Sequence, residues 1–141
     1  MRPQVILADA GPLYAAVDPD DQYHARARRE LEALTHQEIT VAVAYPTLAE
    51  VYTLVLHRLG SRRAVAVGGE LAAGASLLNP SPEDFGQALI RLAAHRDVRA
   101  SLFDGVVIIL AERLGLEVWT YDRHFHAFGA RVWELGDQYR R

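Results

Sequence analysis

Short apolar runs rich in β-branched residues alternate along this chain with longer segments of helical period, and two of those runs end directly on an aspartate. Residues 4–8 (QVILA) form the first run, 39–43 (ITVAV) the second and 117–121 (EVWTY) a later one, with Leu77-Leu78 a shorter candidate between them. Such runs read as strands buried on both faces. The intervening segments read as helices. LYAAV follows the Gly11-Pro12 turn; DQYHARARRELEALTH is a polar surface helix with Asp20 or Asp21 near its N-cap; TLAEVYTLVLHRLG starts near Pro46 and is closed by Gly60. Residues 62–75 carry a helical pattern interrupted by Gly68-Gly69, and Ser81-Pro82-Glu83-Asp84 opens the helix FGQALIRLAAHRD. SLFDGVVIILAERLG is apolar on nearly every face and is expected to be buried, and residues 131–135 are expected to form a last short strand. Strands alternating with helices dictate an α/β domain with a mainly parallel sheet and helices on both faces. Sheets of that kind bind ligands outside the carboxyl ends of their strands.

That rule gives the acids a meaning. Asp9 ends the first strand and Asp122 follows the 117–121 run, so parallel strands bring them to one edge although 113 positions separate them. Glu50 falls near the start of the helix after ITVAV, and Asp104 in the first turn of the buried helix, so both rise from the same edge. Carboxylates packed together repel one another and lose hydration unless cations neutralise them. Mg²⁺ or Mn²⁺ suits such a set, being hard, oxygen-seeking and at home with phosphate. A bound ion polarises a phosphodiester, lowers the pKa of bound water and stabilises the leaving oxygen. Each acid also has a plainer reading. Ser101-x-x-Asp104 and Thr47-x-x-Glu50 both fit a helix capping box, and an aspartate ending a strand often forms a turn. Convergence of four acids from four segments favours the metal.

The chain has no cysteine and no lysine; its fifteen basic residues are all arginine. The first absence excludes disulfides, thiolate zinc sites, iron–sulfur clusters and cysteine nucleophiles. The second counts against a Walker-type phosphate loop and Schiff-base chemistry. It also weakens a phosphatase with an aspartyl nucleophile at Asp9, since such enzymes steady the phosphate with a lysine. A net charge of −3 carries no global field for nucleic acid, so any such contact falls to local arginines. The opening apolar run is too short for a signal peptide, and no run approaches a membrane span. A cytoplasmic protein without a membrane segment is expected, with residues 1–141 forming one domain.

Taken in order, LADAGPLYAAVDPDDQYH, PTLAEVYTLVLHRLG, SLFDGVVIILAERLG and VWTYDRHFHAFG resemble the PIN-domain nucleases, and in particular the VapC toxins of bacterial toxin–antitoxin modules. The resemblance spans essentially the whole chain. It implies a three-layer α/β/α fold with a short parallel sheet, and a Mg²⁺- or Mn²⁺-dependent endoribonuclease acting on RNA. It places the family's four acids on Asp9, Glu50, Asp104 and Asp122, three aspartates as metal ligands and Glu50 as ligand or orienter of water. An antitoxin partner and a homodimer are implied as well. Alternatives are an RNA-processing nuclease outside any toxin–antitoxin pair, or an inactive PIN-like binding module. Ala10 departs from the hydroxyl residue common after the first Asp, which removes one hydrogen bond near the metal. Thr120 keeps the hydroxyl usual two residues before the last Asp. Residues 105–108 (GVVI) offer no extra acid, which implies one tightly held ion and a weaker second.

Other candidates are weaker. Asp18, Asp20 and Asp21 suggest a calcium loop, but its sixth and twelfth positions would be Tyr23 and Arg29 instead of Gly and Glu. They read as a loop and cap. His124, with Arg123, is expected to approach substrate phosphate, together with Thr120; a metal role for His124 or His126 lacks further soft ligands. Arg26, Arg28, Arg29, Arg58, Arg62 and Arg63 read as solvated faces, although any phosphate grip must come from arginine.

Overall fold

The computed structural model describes residues 4–136. Its elements run β1 (Val5–Ala8), α1 (Ala10–Val17), α2 (His24–His36), β2 (Thr40–Ala44), α3 (Tyr45–Leu59), α4 (Ser61–Gly74), β3 (Ser76–Leu78), α5 (Pro82–Ala94), α6 (Leu102–Leu114), β4 (Glu117–Trp119) and α7 (His124–Ala127). The four strands form one parallel sheet in the order β3-β2-β1-β4. Leu7 is level with Ala42 on one side and Val118 on the other.

Strand periodicity sorts the core into two layers. Ile6, Ala8, Val43 and Trp119 point to one face, where they pack with Leu13, Tyr14, Leu34, Val51, Val55 and Val67 of α1 to α4. Leu7, Ala42, Ala44 and Val118 point to the other, against Ala88 of α5, residues 106–111 of α6, and Phe125 and Phe128 at α7. A sheet covered on both faces needs apolar residues at successive positions, and Ile6, Leu7 and Ala8 are all fully buried. The result is the expected three-layer α/β/α fold.

Helices α5 and α6 approach closely where Gly105 meets Ala88 and Leu92. A β-carbon at Gly105 would lie 3.2 Å from the Ala88 Cβ and 3.1 Å from a Leu92 methyl. Ala88 has no rotamer with which to yield, so the helices must separate. Gly105→Ala is therefore expected to destabilise the protein by about 1–2 kcal/mol despite alanine's better helix propensity. Urea unfolding checks this, and a variant as stable as the parent would show that the contact is slack.

Four expectations need correction. Gly11-Pro12 is not a turn ahead of the helix, because α1 already begins at Ala10 and takes both residues into its first turn. Residues 131–135 do not form a strand; a single parallel bridge joins Val132 to Val118, with the Val118 and Trp133 amides donating to Arg131 and Val118 carbonyls (both 2.8 Å). Trp133 instead packs edge-on to Trp119, ring centroids 6.2 Å apart. Neither Asp20 nor Asp21 caps α2, which begins at His24 with Tyr23 at the N-cap. Asp18 and Asp21 use their carboxylates on the Asp20 and Tyr23 amides (2.9 and 2.8 Å), and these local turns delay the helix. The strand expected over 117–121 stops at Trp119, because Thr120 leaves the ladder for side-chain bonds described below. No helix among the described residues is long and apolar enough to cross a membrane.

Candidate active site

The carboxyl ends of β1 and β4 lie side by side, and the backbone fastens them beyond the last ladder pair. The Asp9 amide donates to the Trp119 carbonyl at 2.9 Å. Asp9 occupies the N-cap position of α1, yet its side chain caps nothing there. It is 6% exposed and accepts the Thr120 hydroxyl on Oδ2 at 2.9 Å. The same Thr120 oxygen accepts the Asp122 amide at 3.0 Å. One hydroxyl therefore fixes the two aspartates that end neighbouring strands.

Asp104 arrives from the other layer. Ser101 and Asp104 form the capping box read from the sequence: the Ser101 amide donates to Asp104 Oδ2 (3.0 Å), and the Asp104 amide to Ser101 Oγ (3.1 Å). The capping role does not exclude the site, because Asp104 also lines the cleft above β1. Glu50 behaves differently. Helix α3 starts at Tyr45 directly after β2, with Ala44 as N-cap and Pro46 in its first turn, so Thr47-x-x-Glu50 lies inside the helix and makes no cap. Pro46 costs no hydrogen bond there. Glu50 is left free to line the same cleft.

That cleft, about 400 Å³, is lined by all four acids, with Tyr14, Tyr23, Arg58, Ser101 and Tyr121 among their neighbours. Its electrostatics are those of crowded carboxylates. Burial, then repulsion from Asp104, pushes the Asp9 carboxyl up to about 6, against an opposing hydrogen bond from Thr120. Burial, then Asp9 and Asp104, pushes Glu50 up to about 7. Asp104 is raised, chiefly by burial. Carboxyls elsewhere behave in the opposite sense: Asp84 is held low by Arg113, and Glu112 by Arg91. Acids at the sheet edge thus lack the guanidinium partners that Asp84 and Glu112 have.

Asp104, Asp122 and His124 form the tightest group, with one potential ligand atom from each lying within 4.8 Å of the others. His124 Nδ1 is 3.3 Å from Asp122 Oδ1, and the His124 amide donates to that oxygen at 2.8 Å. The imidazole therefore sits closer to the acids than the sequence implied. Arg123, expected beside it, is exposed and lies outside the cleft lining.

Two features escape the sequence reading. Glu30, assigned to a surface helix, is 3% exposed and accepts both the Trp119 indole N–H (3.1 Å) and the Tyr121 hydroxyl. A signal was available: Ala27, Glu30 and Leu34 share the buried stripe of α2. The second is a cluster in which the Tyr14 hydroxyl donates to Asp18 while the Arg58 guanidinium lies 4.9 Å from the Tyr14 ring centre. Its members are 40 residues apart or more, except for the Tyr14–Asp18 pair on one helical face.

The buried placement of Thr120 makes it the most informative position around the acids. Thr120→Val keeps the shape but removes the hydroxyl, and Asp9 and Asp122 each lose a hydrogen bond. Loss of such a supporting bond weakens metal binding by about 10- to 100-fold where the ligands hold an ion. Titration with Mn²⁺ measures this, with Thr120→Ser expected to restore affinity. Equal affinity in the valine variant would show that Asp9 needs no such support.

Fold and site together define an α/β domain with carboxylates gathered where parallel strands end. The family model for the PIN domain matches residues 6–130, and the chain belongs to that family. No curated protein matches it in sequence. Among solved structures it is similar to VapC20 of Mycobacterium tuberculosis, described as a Sarcin-Ricin loop cleaving toxin: TM-score 0.79 and 23% identity over 89% of this chain and 95% of that one. It is also similar to VapBC2 from Rickettsia felis, solved bound to a DNA fragment from its promoter (0.69, 13%, over 93% and 98%). FitAcB from Neisseria gonorrhoeae is a third (0.64, 19%, over 92% and 96%). At these identities the likeness is one of fold, and it bears out the resemblance read from the sequence.

Proposed function

We propose that this chain is a divalent-metal-dependent endoribonuclease and the toxin of a toxin–antitoxin pair. The observation that carries the reading is the convergence of Asp9, Glu50, Asp104 and Asp122 in one cleft, with Asp9 pushed up to about 6 by burial and Asp104, and Glu50 to about 7 by burial, Asp9 and Asp104. The donor set fits the ion: all four acids offer carboxylate oxygens, suited to Mg²⁺ or Mn²⁺. Asp9, Asp104 and Asp122 would hold it, with Glu50 as ligand or water-orienting group. When bound, the ion supplies charge neutralisation at the phosphate and a more acidic water.

The chain's own residues supply the rest. Thr120 orients Asp9 through its hydroxyl and Asp122 through its amide bond. The Ser101 amide holds Asp104 Oδ2 and leaves Oδ1 for a ligand. Glu50, which α3 brings to the same cleft, is placed to orient an attacking water or take its proton. Hydrolysis then replaces the bond from phosphorus to the leaving ribose oxygen with one to the water oxygen, and the leaving oxygen takes up a proton from solvent to depart as a hydroxyl. Ala10 offers Asp9 no hydroxyl, so Thr120 is the side chain that donates to it.

Similarity to VapBC proteins supports an antitoxin partner for this chain. A homodimer in the cytoplasm belongs to the same proposal, on the family resemblance alone. VapC20's description makes ribosomal RNA loops the first substrates to try. The test is cleavage of defined tRNA and rRNA fragments by antitoxin-free protein with Mg²⁺, Mn²⁺ or EDTA. Metal-dependent cutting at discrete sites is the expected result. Protein that melts cooperatively yet cuts nothing under any metal would favour a binding module.

A further inference from the structure

The cleft that holds the carboxylates also has an aromatic lining. Tyr23, immediately before α2, is 38% exposed and lines the cleft with Asp9, Asp104 and Asp122. Its amide bond to Asp21 sets the turn that presents it. Its ring centre lies 4.9 Å from that of Tyr121, with the planes tilted by 47°.

Tyr121 is unusually well fixed. Its hydroxyl donates to the buried Glu30, and the Arg26 guanidinium lies 4.3 Å from its ring centre. Glu30 also holds Trp119, on the other side of Thr120. Tyr23 therefore rests against a ring that is tied to the core through Glu30 and held on its face by the exposed Arg26. A large exposed aromatic with such backing loses little freedom when something stacks on it, which is what a preorganised contact requires. The cleft holds one further feature of this kind: Arg58 of α3 brings a cation to a lining otherwise dominated by acids.

We propose that Tyr23, braced by Tyr121, is a stacking platform for one unpaired base of the substrate. The proposal rests on the nuclease reading above and deepens it. Bases in a duplex have both faces covered by neighbours, and only a splayed base exposes one to a side chain. Stacking on tyrosine adds affinity with little preference among bases, since each has a π-face. Arg58 offers a phosphate contact within the same cleft.

The test uses the Asp104→Asn protein in Mg²⁺, so that binding is read without cleavage, and a labelled single-stranded oligoribonucleotide with an abasic nucleotide placed at each position in turn. Tyr23→Ala is expected to weaken binding of the intact strand about tenfold. Tyr23→Phe, which keeps the ring, stays within about twofold of the parent. One abasic position should cost the parent the same factor and cost Tyr23→Ala nothing further, because the base and the ring are partners. A duplex of the same sequence should bind parent and Tyr23→Ala alike. Unchanged binding by Tyr23→Ala overturns the platform, as do losses from Tyr23→Ala and every abasic position that simply multiply. A parent protein that retains no RNA of any form overturns the nuclease reading along with it.

Discussion

Asp104→Asn is expected to reduce RNA cleavage by more than about a hundredfold while leaving the fold intact. The magnitude follows from what a ligand does: loss of a hydrogen bond merely supporting one costs about 10- to 100-fold, so loss of the ligand's own charge costs at least as much. Preservation of the fold follows from the cap. An asparagine oxygen still accepts the Ser101 amide, so the first turn of α6 keeps its N-terminal bond. Asp9→Asn should behave alike in activity. Glu112→Gln is the matched control, since it removes an acid paired with Arg91 at the surface, away from the cleft, and should leave turnover unchanged. Single-turnover cleavage beside circular dichroism measures both halves. An Asp104→Asn protein that cuts at the parent's rate with Mg²⁺ present removes Asp104 from the machinery.

The same carboxylates should make the EDTA-treated protein less stable as pH rises from 5 to 7, contrary to the trend for acids in ion pairs. Asp9 holds its proton up to about pH 6, whereas in the unfolded chain it ionises near 3.8. Between those values the unfolded state loses a proton that the folded state keeps, so stability falls with rising pH and is lowest above the folded value. For Asp9 the difference corresponds to about 3 kcal/mol over the whole interval, of which roughly 1.3 kcal/mol falls above pH 5. Glu50 acts in the same sense up to about pH 7. Asp84 and Glu112 are lowered by their arginines and act oppositely, but they are already ionised above pH 5. A drop of roughly 5–10 °C in Tm over this window is expected. Millimolar Mn²⁺ should recover it at pH 7, because an ion at a hundred times its Kd stabilises by about 2.7 kcal/mol, and should do less at pH 5, where protons compete. Asp9→Asn should flatten the pH profile. Melting curves that ignore both pH and metal would mean the carboxylates are not crowded as described.

What the sequence made legible was whatever depends on local period and chain order. Apolar runs and helical stretches placed the parallel sheet, and strand ends placed Asp9 and Asp122 on one edge. The capping box at Ser101 was equally plain, because its two partners are three residues apart. Its counterpart at Thr47 was not, since α3 begins at Tyr45 with no loop after β2 and leaves that motif inside the helix. Long-range partners were the least visible. Nothing local says that Glu30 will meet Trp119 and Tyr121, about ninety positions away, or that His124 will fold back among the acids. Thr120 was recognised by its place before Asp122, but its bond to Asp9 exists only once β1 and β4 are neighbours.

The provenance of the four carboxylates has a mechanical consequence. Glu50 rides on a helix of one layer, Asp104 on a helix of the other, and Asp9 and Asp122 on the sheet between them. Their separations therefore work as a gauge of how the two outer layers are aligned. A substitution deep in the α5–α6 contact that slides α6 by a fraction of an ångström carries Asp104 along but leaves Glu50 where it was. Tolerance to mutation in this chain should accordingly be set less by how much stability a change removes than by whether it moves the two layers together or apart.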